Sequence, residues 1–337
     1  MSNGWRVMSN RWRVMSNRWR VMSGGRRVES GKWRVCYRRL LPVLPVLLLA
    51  WLLIACRQTA PLAELNAVYY WRTELRLNDA ERQFLDRHHI RRVYCRYFDV
   101  VMDDGAAMPH PNATLTFTDP LPEGIELVPT VYITEDCMHQ RHDSLARMVV
   151  RRILQMNATN GISGVTELQM DCDYTARSRQ NFYDFLSEVK AEISNLNSQF
   201  SNLNSQITTL SATIRLHQLQ MEVPPVDYGV LMLYNTGDPR RFHERNPILD
   251  ERDVQPYVRH LADYALPLAA AYPVYRWQRQ VEGLAIEHTV EDSVILNVKR
   301  MVETERPSLA NTVITYHLDE ENINRYSTQT YEAIYHH

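Results

Sequence analysis

Residues 167–175 (ELQMDCDYT) carry polar side chains at every second position, with Gln169, Asp171 and Asp173 separated by apolar residues. Because successive side chains on a β-strand point to opposite faces, a strand here would place two carboxyl groups and an amide side by side. Neighbouring carboxylates raise each other's cost of ionisation, so a strand with a purely structural role rarely carries such a pair. The spacing therefore predicts a functional site on this strand.

Short apolar or β-branched runs alternate with amphipathic stretches from residue 67 onward. The predicted strands cover residues 67–73, 91–100, 126–134, 165–175, 212–220, 228–235, 268–277 and 311–319. The predicted helices include one capped by Asn78 or Asp79 and residues 144–156, 176–193, 253–264, 291–303 and 322–335. This alternation predicts an α/β fold, a single (β/α)8 TIM barrel. The alternative is an open doubly wound sheet, but no GxGxxG or P-loop motif supports a nucleotide-binding version, and we expect no cofactor.

Polar and aromatic residues gather at the ends of the predicted strands, where the active sites of such barrels form. The candidate site residues are Trp71, Arg96, Asp99, Glu135, Gln169, Asp171, Asp173, Arg215, His217, Tyr234, Asn235, Tyr275, Trp277 and His317. The two tryptophans are candidates to stack on a sugar, because an aromatic ring offers flat apolar area. Structural roles are the alternative: Asp99 could cap a loop, the arginines could pair with carboxylates inside the barrel, and the histidines and aromatic residues could pack in the core.

Residues 164–174 (GVTELQMDCDY) resemble the fourth-strand motif of the chitinase-type, family-eighteen glycoside hydrolases, which reads DGxDxDxE followed by an aromatic residue. Asn181-Phe182 and Phe185-Leu186 are similar to the helix that follows in that family. The chain also resembles uncharacterised secreted bacterial lipoproteins that carry such a barrel. The resemblance implies a barrel that acts on glycans or binds them.

The last acid of the family's motif protonates the glycosidic oxygen, the preceding Asp supports it, and the substrate's N-acetyl group is the nucleophile. The resemblance implies that Asp173 is the general acid and that Asp171 is its partner. Gln169 replaces the first Asp of the DxDxE core, and Asp173 is one methylene shorter than the family's Glu. Because a misplacement of ~1 Å can cost on the order of 100-fold in rate, the acid chemistry would require a closer backbone or substrate, or Glu135 as the acid.

These residues are compatible with three functions. The first is glycoside hydrolysis with Asp173 as general acid, and the second is glycan binding without catalysis on the same barrel. The third is a metal-dependent hydrolase that would use Asp99, Asp171, Asp173, His217 and His317. No HxH or HExxH spacing supports the third function, so we expect no metal site. The predicted partner is a glycan or another small polar ligand.

The N-terminal region predicts export. Residues 1–35 form a degenerate seven-residue repeat, which we interpret as lying outside the native structure, the alternative being a basic arm for nucleic acid or a membrane. Residues 36–55 predict a signal peptide, because the apolar stretch Leu40–Ala55 follows two arginines and is short for a membrane span. The stretch ends in LIAC, which resembles a bacterial lipobox. We therefore expect lipidation of Cys56 and a lipid anchor in the bacterial cell envelope, on the periplasmic or the cell-surface side.

Residues 56–66 would then form a tether, and residues 67–337 the barrel domain. Within the barrel domain, residues 193–210 are of low complexity and contain near copies of SNLNSQ. Their apolar residues follow a seven-residue period, as in a coiled coil, but over few heptads. We interpret the insertion as extra length in a connection on the N-terminal face of the barrel, away from the chemistry.

The composition of the chain from Cys56 onward limits the possible partners. This part holds 27 basic and 38 acidic residues, a net charge of −11. Such an acidic body argues against nucleic-acid binding, which depends on Lys and Arg meeting phosphates. The other cysteines, Cys95, Cys137 and Cys172, are odd in number and lack CxxC spacing. We therefore expect buried thiols rather than a disulfide framework or a structural zinc site.

Overall fold

A computed structural model describes residues 62–199, 206–238, 245–281 and 284–335 of the chain. The N-terminal repeat, the predicted signal peptide and Cys56 lie outside these ranges, as do residues 200–205 of the low-complexity insertion. Among the helices within the ranges, none combines the length and the apolar composition needed to cross a membrane.

The described residues form strands and helices in alternation. The strands are β1 (Leu65–Tyr70), β2 (Glu74–Leu75), β3 (Ile90–Val101), β4 (His110–Asn112), β5 (Thr116–Phe117), β6 (Glu126–Ile133), β7 (Glu167–Cys172), β8 (Thr209–Ile214), β9 (Tyr228–Met232), β10 (Leu268–Pro273), β11 (Trp277–Val281), β12 (Leu284–His288) and β13 (Thr312–Tyr316). The α-helices are α1 (Asp79–Arg87), α2 (Leu145–Thr159), α3 (Arg179–Gln199), α4 (Glu251–Val258), α5 (Asp292–Glu305), α6 (Glu320–Ile323) and α7 (Thr328–Tyr335). The 3₁₀-helices are Glu135–Met138, Leu216–Gln220 and Pro307–Ala310.

Eight parallel strands form a closed barrel. Their order around the barrel is β1, β3, β6, β7, β8, β9, β10 and β13, and β1 pairs with both β3 and β13, which closes the ring. Each of these strands overlaps one of the eight predicted strands. The predicted (β/α)8 barrel is therefore confirmed, and the carboxyl ends of its strands meet at one mouth.

Two of the connections between barrel strands contain no α-helix. The chain between β3 and β6 forms the short strands β4 and β5, and the chain between β8 and β9 forms the 3₁₀-helix Leu216–Gln220. The predicted strand 212–220 is therefore wrong beyond Ile214. The backbone N–H of Arg215 donates to Oε1 of Gln218 at 2.8 Å, which closes a tight turn where the strand would have continued. The predicted helix 322–335 is likewise two helices, α6 and α7.

Strand β7 presents Glu167, Gln169 and Asp171 to the barrel interior, where all three are buried. The Tyr228 hydroxyl donates to Glu167 Oε1 at 2.5 Å, and the Tyr69 hydroxyl donates to Gln169 Oε1 at 2.8 Å. Buried polar groups need such partners, because an unpaired one costs the free energy of its lost hydration. The polar row predicted from the sequence is therefore largely interior, and only its C-terminal end approaches the mouth.

Gly229 on β9 lies where neighbouring side chains come close to the backbone. A Cβ atom at this position would lie 2.6 Å from Cγ1 of Ile214 and 3.0 Å from Cδ2 of Leu266. We expect Gly229→Ala to lower the free energy of unfolding by about 1–3 kcal/mol through overpacking, as measured by chemical denaturation. An unchanged denaturation midpoint would mean that the two side chains move aside at no cost.

Candidate functional site

Asp171 and Asp173 lie at different depths at the C-terminal end of β7. Asp171 is 2% exposed and accepts a hydrogen bond from the Thr213 hydroxyl at 2.6 Å. The Asp173 side chain is 54% exposed. Nη2 of Arg215 lies 3.6 Å from Oδ1 of Asp171, and Nε of Arg215 lies 3.6 Å from Oδ1 of Asp173. The predicted acid pair is thus one buried and one solvent-facing carboxylate that share a single guanidinium.

The turn that ends β8 positions Arg215. Gln218, which is fully buried, accepts from the Arg215 backbone N–H and donates through Nε2 to the Tyr174 carbonyl oxygen at 2.9 Å. This one amide therefore ties the end of β8 to the loop that follows β7. It sets the guanidinium between the two carboxylates.

A cavity of about 180 Å³ opens beside Asp173, and we name it the Asp173 pocket. Its lining consists of Asp173, Arg215, Leu216, His217, Met232, Tyr234, Asn235, Thr236 and Tyr257. Within the described part of the chain, Nε of Arg215 and the hydroxyl of Tyr234 are buried without a hydrogen-bond partner. The cavity is smaller than the ~300–1,000 Å³ of pockets that enclose drug-sized ligands, so it suits one unit of a longer ligand.

Burial raises the pKa of Asp171, and the Arg215 charge and the Thr213 hydrogen bond offset only part of this rise. A carboxyl whose pKa is higher in the folded than in the unfolded protein stabilises the fold fully below its unfolded pKa, ~3.9. That stabilisation is lost as the pH rises through the folded-state pKa. We therefore expect Asp171→Asn to lose less stability than the wild type as the pH rises above ~4.

Denaturation curves collected at intervals from about pH 4 to about pH 8 measure this difference. A stability difference between the wild type and Asp171→Asn that stays constant over this range would contradict the raised pKa of Asp171.

Glu135 begins the 3₁₀-helix after β6, and both of its carboxylate oxygens are engaged. Ser178 Oγ and Thr175 Oγ1 donate to Oε1 at 2.6 and 2.9 Å, and Nε2 of His139 lies 2.5 Å from Oε2. Partial burial raises the pKa of Glu135, but the hydrogen bonds from Ser178, Thr175 and His139 outweigh this effect, and the pKa is lowered. Glu135 does not line the Asp173 pocket. Its contacts therefore disfavour the predicted role as a substitute general acid.

Trp71 and Arg96 line a different cavity of about 530 Å³, which we name the Trp71 pocket. Arg96 Nε donates to Oδ1 of Asp99 at 2.7 Å, and the guanidinium carbon of Arg96 lies 5.7 Å from the centroid of the Trp71 ring. Asp99 is buried beside this guanidinium, and its antiparallel pairing partner is Asn112 of β4. The predicted single site is therefore divided between two pockets.

Tyr316, the last residue of β13, lies between the two pockets. Its ring centroid is 4.5 Å from that of Tyr234 and 5.8 Å from that of Trp71. Tyr316 was not among the predicted site residues, because the residue predicted for this strand is His317, one position later. Burial lowers the pKa of His317, which lines neither pocket and contacts Asn322 instead. A shift of one residue along a strand exchanges its two faces.

Trp277 also differs from its predicted position at the mouth. Strand β10 ends at Pro273, and Trp277 begins β11 of the hairpin β11–β12, where its ring lies 5.7 Å from that of His288. It lines neither pocket. Tyr275, by contrast, reaches the edge of the Asp173 pocket, since its hydroxyl donates to Oδ1 of Asn235 at 2.5 Å.

Across the ranges that the structure describes, no group of three or more His, Cys, Asp or Glu side chains is arranged to hold a metal ion. Two of the proposed metal ligands, Asp99 and Asp171, are paired with arginines. His217 places Nε2 3.4 Å from the Tyr174 carbonyl oxygen. The geometry therefore gives a metal-dependent hydrolase no support.

Comparisons with known proteins give matches among solved structures only. No protein-family model matches the chain, and the search of curated proteins gives no significant match. A GH18 chitinase from Cycas revoluta in complex with (GlcNAc)3 superposes with a TM-score of 0.54 at 10% identity, over 80% of this chain and 98% of the chitinase. The chitinase-like agglutinin from Robinia pseudoacacia gives a TM-score of 0.52 at 11% identity, over the same shares of the two chains. The chain therefore has the barrel fold of the family-eighteen chitinases.

Proposed function

We propose that the protein binds glycans at the mouth of its barrel, in the Asp173 pocket. The observation that carries the proposal is the pair of unsatisfied polar atoms in the pocket wall, Arg215 Nε and the Tyr234 hydroxyl, beside the exposed carboxylate of Asp173. A sugar would satisfy all three, because its hydroxyl groups both donate and accept hydrogen bonds. Two structural neighbours support the same ligand class. One is a GH18 chitinase with bound (GlcNAc)3, and the other is a chitinase-like agglutinin.

The length of the Asp173 side chain favours binding over efficient hydrolysis. A general acid must come within hydrogen-bond reach of the oxygen that it protonates. Asp173 is one methylene shorter than the Glu of the family's motif. The site therefore retains the position of a general acid but not its reach.

Glycoside hydrolysis with Asp173 as general acid and Asp171 as its support is the second candidate. One observation favours it: the exposed Asp173 lies beside the pocket, close to a buried carboxyl whose pKa burial raises. In this arrangement the exposed carboxyl group can reach a ligand while the buried one supports it from the barrel interior. Measurable turnover in the wild type would favour this candidate.

A glycan array followed by calorimetric titration of the purified protein tests the proposal. We expect binding of an oligosaccharide with a dissociation constant in about the micromolar range. A fluorogenic oligosaccharide assayed in parallel should show no turnover above background. An array without hits, confirmed by titrations that release no heat, would contradict the proposal.

We also propose that the protein is exported and anchored in the bacterial cell envelope through lipid on Cys56. The uncharged apolar stretch 40–55 and the LIAC sequence that ends it support this proposal. Labelled palmitate fed to expressing bacteria should enter the wild-type protein and not Cys56→Ser. Equal labelling of the two proteins would contradict lipidation at Cys56.

A further inference from the structure

The Trp71 pocket adjoins the proposed glycan site. The ring of Tyr316 contacts two other rings. One is that of Tyr234, which lines the Asp173 pocket, and the other is that of Trp71, which lines the Trp71 pocket. At about 530 Å³ against about 180 Å³, the Trp71 pocket is the larger of the two. A glycan of several units bound at Asp173 therefore has a second cavity within reach across the Tyr316 ring.

The charged groups of the Trp71 pocket are mostly guanidinium groups. Arg72, Arg76 and Arg96 line it, together with Glu74 and Glu81. Glu81 is fully buried, where it binds the Arg72 guanidinium and accepts from the Asn78 backbone N–H at 3.1 Å. Among the lining residues, Glu74 is the carboxylate that reaches solvent, and the partly exposed Asp319 lies beside the lining, paired with Arg72.

Each arginine of the Trp71 pocket has a carboxylate partner. Arg72 Nη2 lies 2.9 Å from Glu81 Oε1 and donates to the Arg76 carbonyl oxygen at 3.1 Å, and Arg72 Nη1 lies 3.7 Å from Oδ2 of Asp319. Arg96 Nε donates to Oδ1 of Asp99. Nε of Arg72 is buried without a hydrogen-bond partner in the described residues. Arg76 is mainly exposed, and its Nη2 lies 2.9 Å from Glu74 Oε1. The guanidinium groups of Arg72 and Arg96, which these partners hold in position, lose little conformational freedom when they bind an anion.

We propose that the Trp71 pocket binds an acidic unit of the glycan, a sugar that carries a carboxylate or a sulfate. The proposal rests on the proposed function, which it extends by naming the ligand class. The planar guanidinium group matches the two oxygens of a carboxylate or sulfate, and the Trp71 ring offers a flat face to the sugar itself. The acidic unit binds at the arginines, while its neighbour occupies the Asp173 pocket.

The test compares tetra-N-acetylchitotetraose with its 6-O-sulfated form by calorimetric titration of the full chain, and adds a hyaluronan tetrasaccharide to distinguish carboxylate from sulfate. We expect one of the two acidic ligands to bind about tenfold more tightly than the neutral one at low salt, with a smaller preference at high salt because ions screen exposed charges. Arg76→Ala should reduce this preference about two- to fivefold. Arg147→Ala, which removes an exposed arginine on α2, should not change it.

Equal affinity for neutral and acidic ligands would overturn the inference and leave the proposed function standing. A preference for acidic ligands that persists unchanged in the Arg72→Gln/Arg76→Ala double variant would also overturn it. Failure of all the ligands to bind would contradict the proposed function itself.

Discussion

Arg215→Met is expected to lower the free energy of unfolding by about 3 kcal/mol. The guanidinium lies 3.6 Å from each of two carboxylates, and Asp171 is almost fully buried. Without Arg215, Asp171 must either remain an unpaired charge in the barrel interior or take up a proton, and both cost free energy near neutral pH. Chemical denaturation near neutral pH measures the loss.

A double variant separates the effect of charge from that of packing. Arg215→Met/Asp171→Asn removes both partners and should recover most of the stability lost in Arg215→Met. Arg147→Met, at an exposed position of α2, is the matched control and should change the stability by less than about 0.5 kcal/mol. A double variant no more stable than Arg215→Met would show that the loss has another cause than the unpaired charge of Asp171.

Asp173→Ala is expected to weaken glycan binding about tenfold to 100-fold, because hydrogen bonds to an ionised acceptor contribute ~1.5–3 kcal/mol. Within the described structure the Asp173 carboxylate makes only the 3.6 Å contact with Arg215, so its oxygens are free to accept from sugar hydroxyls. Asp173→Asn should weaken binding less, since the amide oxygen still accepts one hydrogen bond. Calorimetric titration measures the three affinities.

The same variants distinguish a binding protein from a hydrolase. If Asp173 is a general acid, the wild type turns over a fluorogenic oligosaccharide, and Asp173→Asn binds the substrate but loses turnover. Glu135→Gln is the matched control, because Glu135 is a carboxylate near the mouth that does not line the pocket. Turnover that is lost in Asp173→Asn and kept in Glu135→Gln would replace our proposal with the second candidate.

The barrel itself could be predicted from the sequence because its strands are regular. In β7, for example, polar and apolar residues alternate through Cys172, as the period of a strand requires. The boundaries were harder to predict. Residues 212–217 (ATIRLH) alternate past the end of β8, yet residues 216–220 form a 3₁₀-helix, because the Gln218 side chain bonds back to Arg215. Side-chain to backbone hydrogen bonds of this kind leave no period in the sequence.

How deeply each candidate side chain lies in the barrel could not be predicted from the sequence. The spacing of Asp171 and Asp173 indicated a strand end, but not that one carboxyl would be buried and the other exposed. That difference depends on Arg215 and Thr213, which lie about forty residues further along the chain. Likewise, the sequence could not show that Trp71 and Asp173 would line separate pockets, because Tyr316 of the last barrel strand comes between them.

A crystal structure of the protein with a bound oligosaccharide tests the central claim most directly. Our account places one sugar ring in the Asp173 pocket, with its oxygen atoms within hydrogen-bond distance of Arg215 Nε, the Tyr234 hydroxyl and the Asp173 carboxylate. A sugar bound elsewhere on the barrel, with no sugar oxygen within hydrogen-bond distance of these three groups, would contradict the account.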